Sequence, residues 1–107
     1  MLTDEQRDAA LENSPSTDRL TPELIRSKIS MEKYLYPHEI GPSEAPTTTI
    51  CVLTLLNGFT VVGKSACADP ANFNKDLGAK IAFQDAERQI WSLEGYLLKE
   101  KLNKKAA

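Results

Sequence analysis

The chain has 107 residues, of which 41% are hydrophobic and 26% charged, with a formal net charge of −2. That length fits one domain. The charge balance excludes a general nucleic-acid or membrane-surface binder, which needs an excess of Lys and Arg.

The first residues, Met1 and Leu2, lead into the polar Thr3, Asp4, Glu5 and Gln6 rather than into the apolar core of a secretory signal. No apolar run approaches the roughly 18 residues of a membrane span. Thr3 to Gln6 carries a capping-box pattern that predicts a few helical turns to about Leu11, and Asn13, Ser14 and Pro15 stop them. Residues 1–19 are read as a flexible N-terminus and 20–107 as a single α+β domain. A folded core of about 80 residues buries its surface incompletely and gains from oligomerisation.

Thr21 is a good N-cap, Pro22 suits the first helical position and Glu23 favours the positive end of the dipole. With the apolar stripe Leu24, Ile25, Ile29, Tyr34 and Leu35, they predict an N-terminal helix from 22 to about 34, stopped by Pro37. Residues 37–46 hold Pro37, Pro42, Pro46 and Gly41 and read as a connector. The single histidine, His38, falls in it as a surface-loop residue, with no nucleophile or orienting partner nearby.

Thr47 to Leu56 is rich in β-formers, Asn57-Gly58 is a preferred hairpin turn, and Phe59 to Ser65 returns. The expectation is an antiparallel β-hairpin over about 48–65. A two-residue turn sets Leu56 opposite Phe59, Thr54 opposite Val61 and Val52 opposite Gly63. Both faces are then apolar, which favours a sheet extended or stacked across a dimer.

Asp69 and Pro70 open the next helix. Phe73, Leu77, Ile81, Ala86, Ile90, Leu93 and Leu97 continue at helical spacing. Ser92 reads as the cap of a second helix, so two C-terminal helices are predicted, about 70–91 and 92–103. Gly78 inside a helix costs ~1 kcal/mol relative to Ala, which implies close approach of another backbone. Gly95 is a second odd choice mid-helix. The late basic residues Lys99, Lys101, Lys104 and Lys105 complement the helix macrodipole.

No catalytic triad, carboxylate dyad or metal set assembles from these residues, and none calls for a cofactor. Cys51 and Cys67, the only cysteines, read as free thiols of a cytosolic chain. They lack the further ligands of a zinc site. Cys67 precedes a helix start but has no base beside it.

The turn from Lys64 to Phe73 is the best candidate for a ligand. It leads from a strand into a helix start, where free backbone N–H groups attract anions. Lys64, Ser65 and Asn72 are placed to join them, Phe73 to stack on a base and Arg88 to add a cation. The plain alternative is a capped connection. Trp91 and Tyr96 read as core, and Arg88 and Glu94 as a pair with each other or across an interface.

The run Cys51 to Phe73, read with Leu77 to Ala82 and Ile90 to Leu98, resembles a family of small tailed-phage proteins labelled by gene product 49 of one phage and gene product 66 of another. The likeness spans residues 21–102. Members commonly carry Pro where this chain has Ser92. The resemblance implies a phage or prophage origin and brings no activity or catalytic residues with it. In layout the chain is also similar to the anti-Thoeris sponges, small β-plus-helix phage oligomers that bind a cyclic nucleotide signal between subunits.

The expected function is therefore that of a non-enzymatic homo-oligomeric binding protein in the host bacterial cytoplasm, with no membrane partner, sequestering a small nucleotide signal. Two alternatives stand beside it. One is an adaptor that docks a host protein through residues 1–19 and the basic C-terminal helix. The other is a nucleic-acid accessory factor using Lys99 to Lys105.

Overall fold

The computed structural model describes residues 19–41 and 45–106. The helical turns expected near Thr3 to Leu11, and the flexible segment up to Asp18, lie outside these residues. Helix α1 runs Pro22–Ser27, strand β1 Ile29–Leu35, a single-turn helix α2 Pro37–Ile40, strands β2 and β3 Thr48–Leu55 and Thr60–Ala66, and helix α3 Lys75–Ala106. The strands form one antiparallel sheet in the order β1-β2-β3, and α3 packs across β3 and β2. The α+β class stands, with a different arrangement of elements.

The expected helix from 22 to 34 is only its first six residues. Thr21 caps it, its Oγ1 accepting from Leu24 N–H at 3.1 Å, and it stops at Lys28. From Ile29 the chain turns into β1, because the open edge of β2 offers a full ladder of backbone partners and β-branched and aromatic residues suit it. Tyr34 lies opposite Cys51 and Leu35 opposite Ile50, with a bulge between Ile29 and Met31. The hairpin is thus the core of a three-stranded sheet.

The hairpin itself forms in a different register. Leu55 C=O accepts from Gly58 N–H, Leu55 N–H donates to Phe59 C=O, and Gly58 sits at φ +88°. This is a three-residue loop with a left-handed glycine bulge, not a two-residue turn. Val61 therefore faces Leu53 and Gly63 faces Cys51. A one-residue slip moves every side chain to the other face. Thr49, Cys51, Leu53 and Leu55 turn inward and are buried, with Val61, against Ala82, Ala86 and Ile90 of α3 and Ile25 of α1.

Gly63 is what lets α3 lie so low on the sheet. A Cβ there would come within 2.2 Å of Ala82 O and 2.3 Å of Ala86 N. At Gly78 the close neighbour is a side chain and not the backbone its position predicted: a Cβ would meet Thr49 Oγ1 at 2.8 Å. Gly95 packs loosely, with only Leu20 nearby.

One helix replaces the two expected at the C-terminus. Phe73 takes an extended conformation after a single 3₁₀ turn at Pro70–Asn72, so α3 begins at Lys75. From there it runs 32 residues, about 48 Å. Ser92 does not break it: its hydroxyl donates to Arg88 C=O at 3.4 Å, one turn back.

Two ion pairs fasten α1 to α3. Arg26 Nε stands 3.2 Å from Oε2 of the buried Glu87, and Lys28 Nζ 3.5 Å from Glu94 Oε1. Glu94 therefore pairs with Lys28 rather than with Arg88. No helix among the described residues is long and apolar enough to cross a membrane.

Candidate functional site

The turn between β3 and α3 is held by one backbone hydrogen bond and two side-chain caps. Cys67 N–H donates to Thr47 C=O at 2.9 Å. Asp69 Oδ1 accepts from Ala71 N–H at 2.9 Å, and Asn74 Oδ1 accepts from Leu77 N–H at 3.0 Å, which caps α3. Asp69 thus caps the 3₁₀ turn and Asn74 the helix, a division of labour set by the extended Phe73 between them.

Ser65, Asn72 and Phe73 line one pocket of about 120 Å³ here, floored by Gly78. Beside that floor Thr49 is fully buried, and its Oγ1 has no hydrogen-bond partner among the described residues. Lys64 and Arg88 are not part of this pocket. Lys64 N–H donates to Asp85 Oδ2 at 3.0 Å and an Arg88 terminal nitrogen lies 3.9 Å from Asp85 Oδ1. Both therefore gather at the outer edge of β3. Adjacent strand residues point to opposite faces, so Lys64 and Ser65 cannot serve one pocket.

A cluster that sequence spacing does not reveal adjoins Phe73. His38 meets Phe73 edge-on at 5.9 Å between ring centroids, and Tyr36 meets His38 at 6.4 Å. Lys75 Nζ lies 4.3 Å over the Tyr36 ring and 3.9 Å from Glu39. His38 is half-buried in α2, not a surface-loop residue, because Pro37 starts a helical turn that tucks the imidazole against Phe73. No run of spacing joins residues 36, 38, 73 and 75. Only the sheet, which returns the chain to the same end, does so.

Elsewhere, the N-terminal half of β3 and the C-terminal half of α3 enclose a larger open groove of about 630 Å³, lined by Phe59, Val62, Gln89, Leu93 and Tyr96 among others. A further hollow of about 200 Å³ shares Phe59, Leu93 and Tyr96 with it and adds Leu55 and Leu97. Among the described residues, the long helix α3 covers one side of the sheet. By strand register the opposite side presents Met31, Lys33 and Leu35, then Ile50 and Val52, then Val62 and Lys64.

Cys51 is fully buried, and its thiol is pushed above its ordinary value by burial, with the Glu32 charge adding and a hydrogen bond to Tyr34 only partly offsetting this. Tyr34 is also raised, by burial first and then by its hydroxyl donating to Glu32 Oε2 at 2.9 Å. These shifts predict a loss of stability at alkaline pH. The unfolded thiol and phenol ionise from about their ordinary 9.0 and 10.0, while the folded groups still hold their protons. The unfolded state then binds fewer protons, so stability falls with rising pH. Urea midpoints are expected to stay level up to about pH 8 and to drop above about pH 9; a Cys51→Ala, Tyr34→Phe double variant should flatten that drop.

Among the described residues, no group of three or more His, Cys, Asp or Glu side chains comes together to hold a metal. A family model described as the phage protein (N4 Gp49/phage Sf6 gene 66) family matches residues 20–102. The chain belongs to this family. The matched span opens at Leu20, which packs on the core, and takes in every strand and most of α3. The matched span therefore includes the turn at 64–73 and the residues that line the groove and the uncovered sheet face of this chain. No curated protein and no solved structure matches the chain.

Proposed function

We propose that this phage-family protein acts by binding rather than by catalysis, as an adaptor that engages a host protein in the bacterial cytoplasm through the bare face of its sheet. The observation that carries this reading is the chemistry of that face. Met31, Leu35, Ile50, Val52 and Val62 form an apolar band with Lys33 on one edge strand and Lys64 on the other. No carboxylate shares the face by register, and among the described residues neither lysine has an ion-pair partner. An apolar centre with an unbalanced cationic rim complements a partner that sets carboxylates around an apolar surface.

The test uses the intact chain as bait in host lysate, beside a Lys33→Glu, Lys64→Glu double variant. A stoichiometric host protein is expected on the wild type, released by ~0.5 M salt and lost from the variant. Equal retention by both baits, or no partner on either, overturns the reading.

A second reading rests on the pocket of Ser65, Asn72 and Phe73 with Tyr36, His38 and Lys75 beside it. This is an aromatic and cationic cluster suited to a small nucleotide signal, and the protein would act as a sponge. One pocket of about 120 Å³ is well below the roughly 300 Å³ at which ligand sites begin, so the nucleotide would be only partly enclosed. Calorimetry with cyclic nucleotides and cyclic ADP-ribose isomers decides it: affinity no better than ~1 mM ends the sponge reading.

A further inference from the structure

The sheet has two outer edges, β1 and β3, and the chain treats them differently. Backbone groups along a strand turn alternately to one side and to the other. In β2, Leu55 N–H donates to Phe59 C=O, so the odd-numbered residues turn to β3. Leu56 N–H donates to Lys28 C=O, so the even-numbered ones turn to β1. Met31 lies opposite Thr54, Lys33 opposite Val52 and Leu35 opposite Ile50. Those three therefore spend their backbone groups on β2, and Glu32 and Tyr34 turn theirs outward. By the same alternation Val62 and Lys64 turn outward from β3.

On β3 that edge is closed. Val62 C=O accepts from the Gln89 side chain, and Lys64 N–H donates to Asp85 Oδ2 at 3.0 Å. On β1 it is open: among the described residues no hydrogen bond closes the outward backbone of Glu32 or Tyr34. The bulge between Ile29 and Met31 leaves Met31 to Leu35 in unbroken register. No proline interrupts the strand, and Met31 is 62% exposed. Such an edge is a template for one more strand.

Charge says which strand. A second copy would have to set outward residues against outward residues. The two antiparallel registers that engage both Glu32 and Tyr34 put either Glu32 or Lys33 directly opposite its own counterpart, and like charges so placed are destabilising. A different chain escapes this. Lys33 stands on the bare face between Met31 and Leu35, and among the described residues it has no ion-pair partner. A strand that alternates apolar, acidic, apolar along that face sets its carboxylate beside Lys33 and its apolar side chains beside Met31 and Leu35.

We propose that the host partner adds an extended segment of this pattern to the outer edge of β1 as a fourth strand. The inference rests on the adaptor reading and supplies its mode of docking. Main-chain bonds to Glu32 and Tyr34 give affinity, and the side chains beside Met31, Lys33 and Leu35 give specificity.

The test compares Glu32→Pro with Glu32→Gln in the full chain. Both remove the carboxylate to which the Tyr34 hydroxyl donates. Only proline removes the outward N–H, and a strand edge tolerates proline where that N–H leaves the sheet. The probe is the host protein eluted by salt from the wild-type bait. It is expected to bind Glu32→Pro at least about tenfold more weakly than Glu32→Gln. Hydrogen exchange of the wild-type chain is a second readout that needs no variant: the Glu32 and Tyr34 amides should slow at least about tenfold in the complex. Equal binding by the two variants, or unslowed exchange at both amides, overturns the strand addition and leaves the adaptor reading standing. If Glu32→Pro fails to fold, the exchange result decides alone. Absence of any salt-eluted host protein overturns both.

Discussion

Replacing Gly63 with alanine is expected to destabilise the protein by about 3 kcal/mol or more, at the top of the range for overpacking. The added methyl group would stand 2.2 Å from Ala82 O and 2.3 Å from Ala86 N. Both are backbone atoms of a helix, so no rotamer change relieves the clash. Helix α3 must lift off the sheet along its buried face, which loosens Ala82, Ala86 and Ile90 together. The urea midpoint should fall sharply with little change in slope. Gly58→Ala is the matched control. Its Cβ meets nothing within 4 Å, and only the positive φ of 88° is strained, which costs about 1–2 kcal/mol. Equal effects from the two substitutions would mean that α3 does not cross β3 at Gly63.

Leu53→Ala carries the second large effect, an expected loss of about 2–5 kcal/mol. Leu53 is fully buried in the central strand, opposite Val61 and beneath α3. The core holds few large side chains, so little can collapse into the space. Its neighbour Val52 points to the bare face and is half-exposed, so Val52→Ala should cost about 1 kcal/mol or less. The contrast between adjacent residues reads the register directly. A two-residue hairpin turn would place Val61 on the other side of β2, opposite Thr54, and would leave Leu53 opposite Val62.

That register shows where sequence alone stops. Asn57-Gly58 marks the hairpin correctly, yet the pair serves both a two-residue loop and a three-residue loop with a glycine bulge. The choice falls to which face buries more, a property of α3 and not of the turn. Ile29 to Leu35 has the same character. Its apolar residues fit a helical stripe and a strand about equally, and only the waiting edge of β2 decides. Gly78 was legible because a helical glycine needs a reason; Gly63, mid-strand, carried the same signal and has the tighter contact. Of the five candidate ligand residues, Ser65, Asn72 and Phe73 meet in one pocket. Lys64 is turned away by strand parity, and Arg88 is drawn to Asp85. The rings of Tyr36 and His38 arrive at the same end of the sheet from the far edge strand β1, where no local pattern could have placed them.

The sealing of β3 by Asp85 and Gln89 also sets an order of events during synthesis. All three strands are in the chain by Ala66, but Asp85 and Gln89, whose side chains bond the outer edge of β3, come later, on α3. At roughly 5–20 residues per second, the finished strands wait a few seconds for the helix that protects them. During that interval the nascent chain lacks the side chains that bond the edge at Val62 and Lys64 and the helix that covers Gly63. Neighbouring ribosomes on one message hold such chains side by side. A variant that weakens Asp85 or Gln89 should therefore show its defect first as yield lost to co-translational aggregation, before any change appears in the melting of the protein that survives.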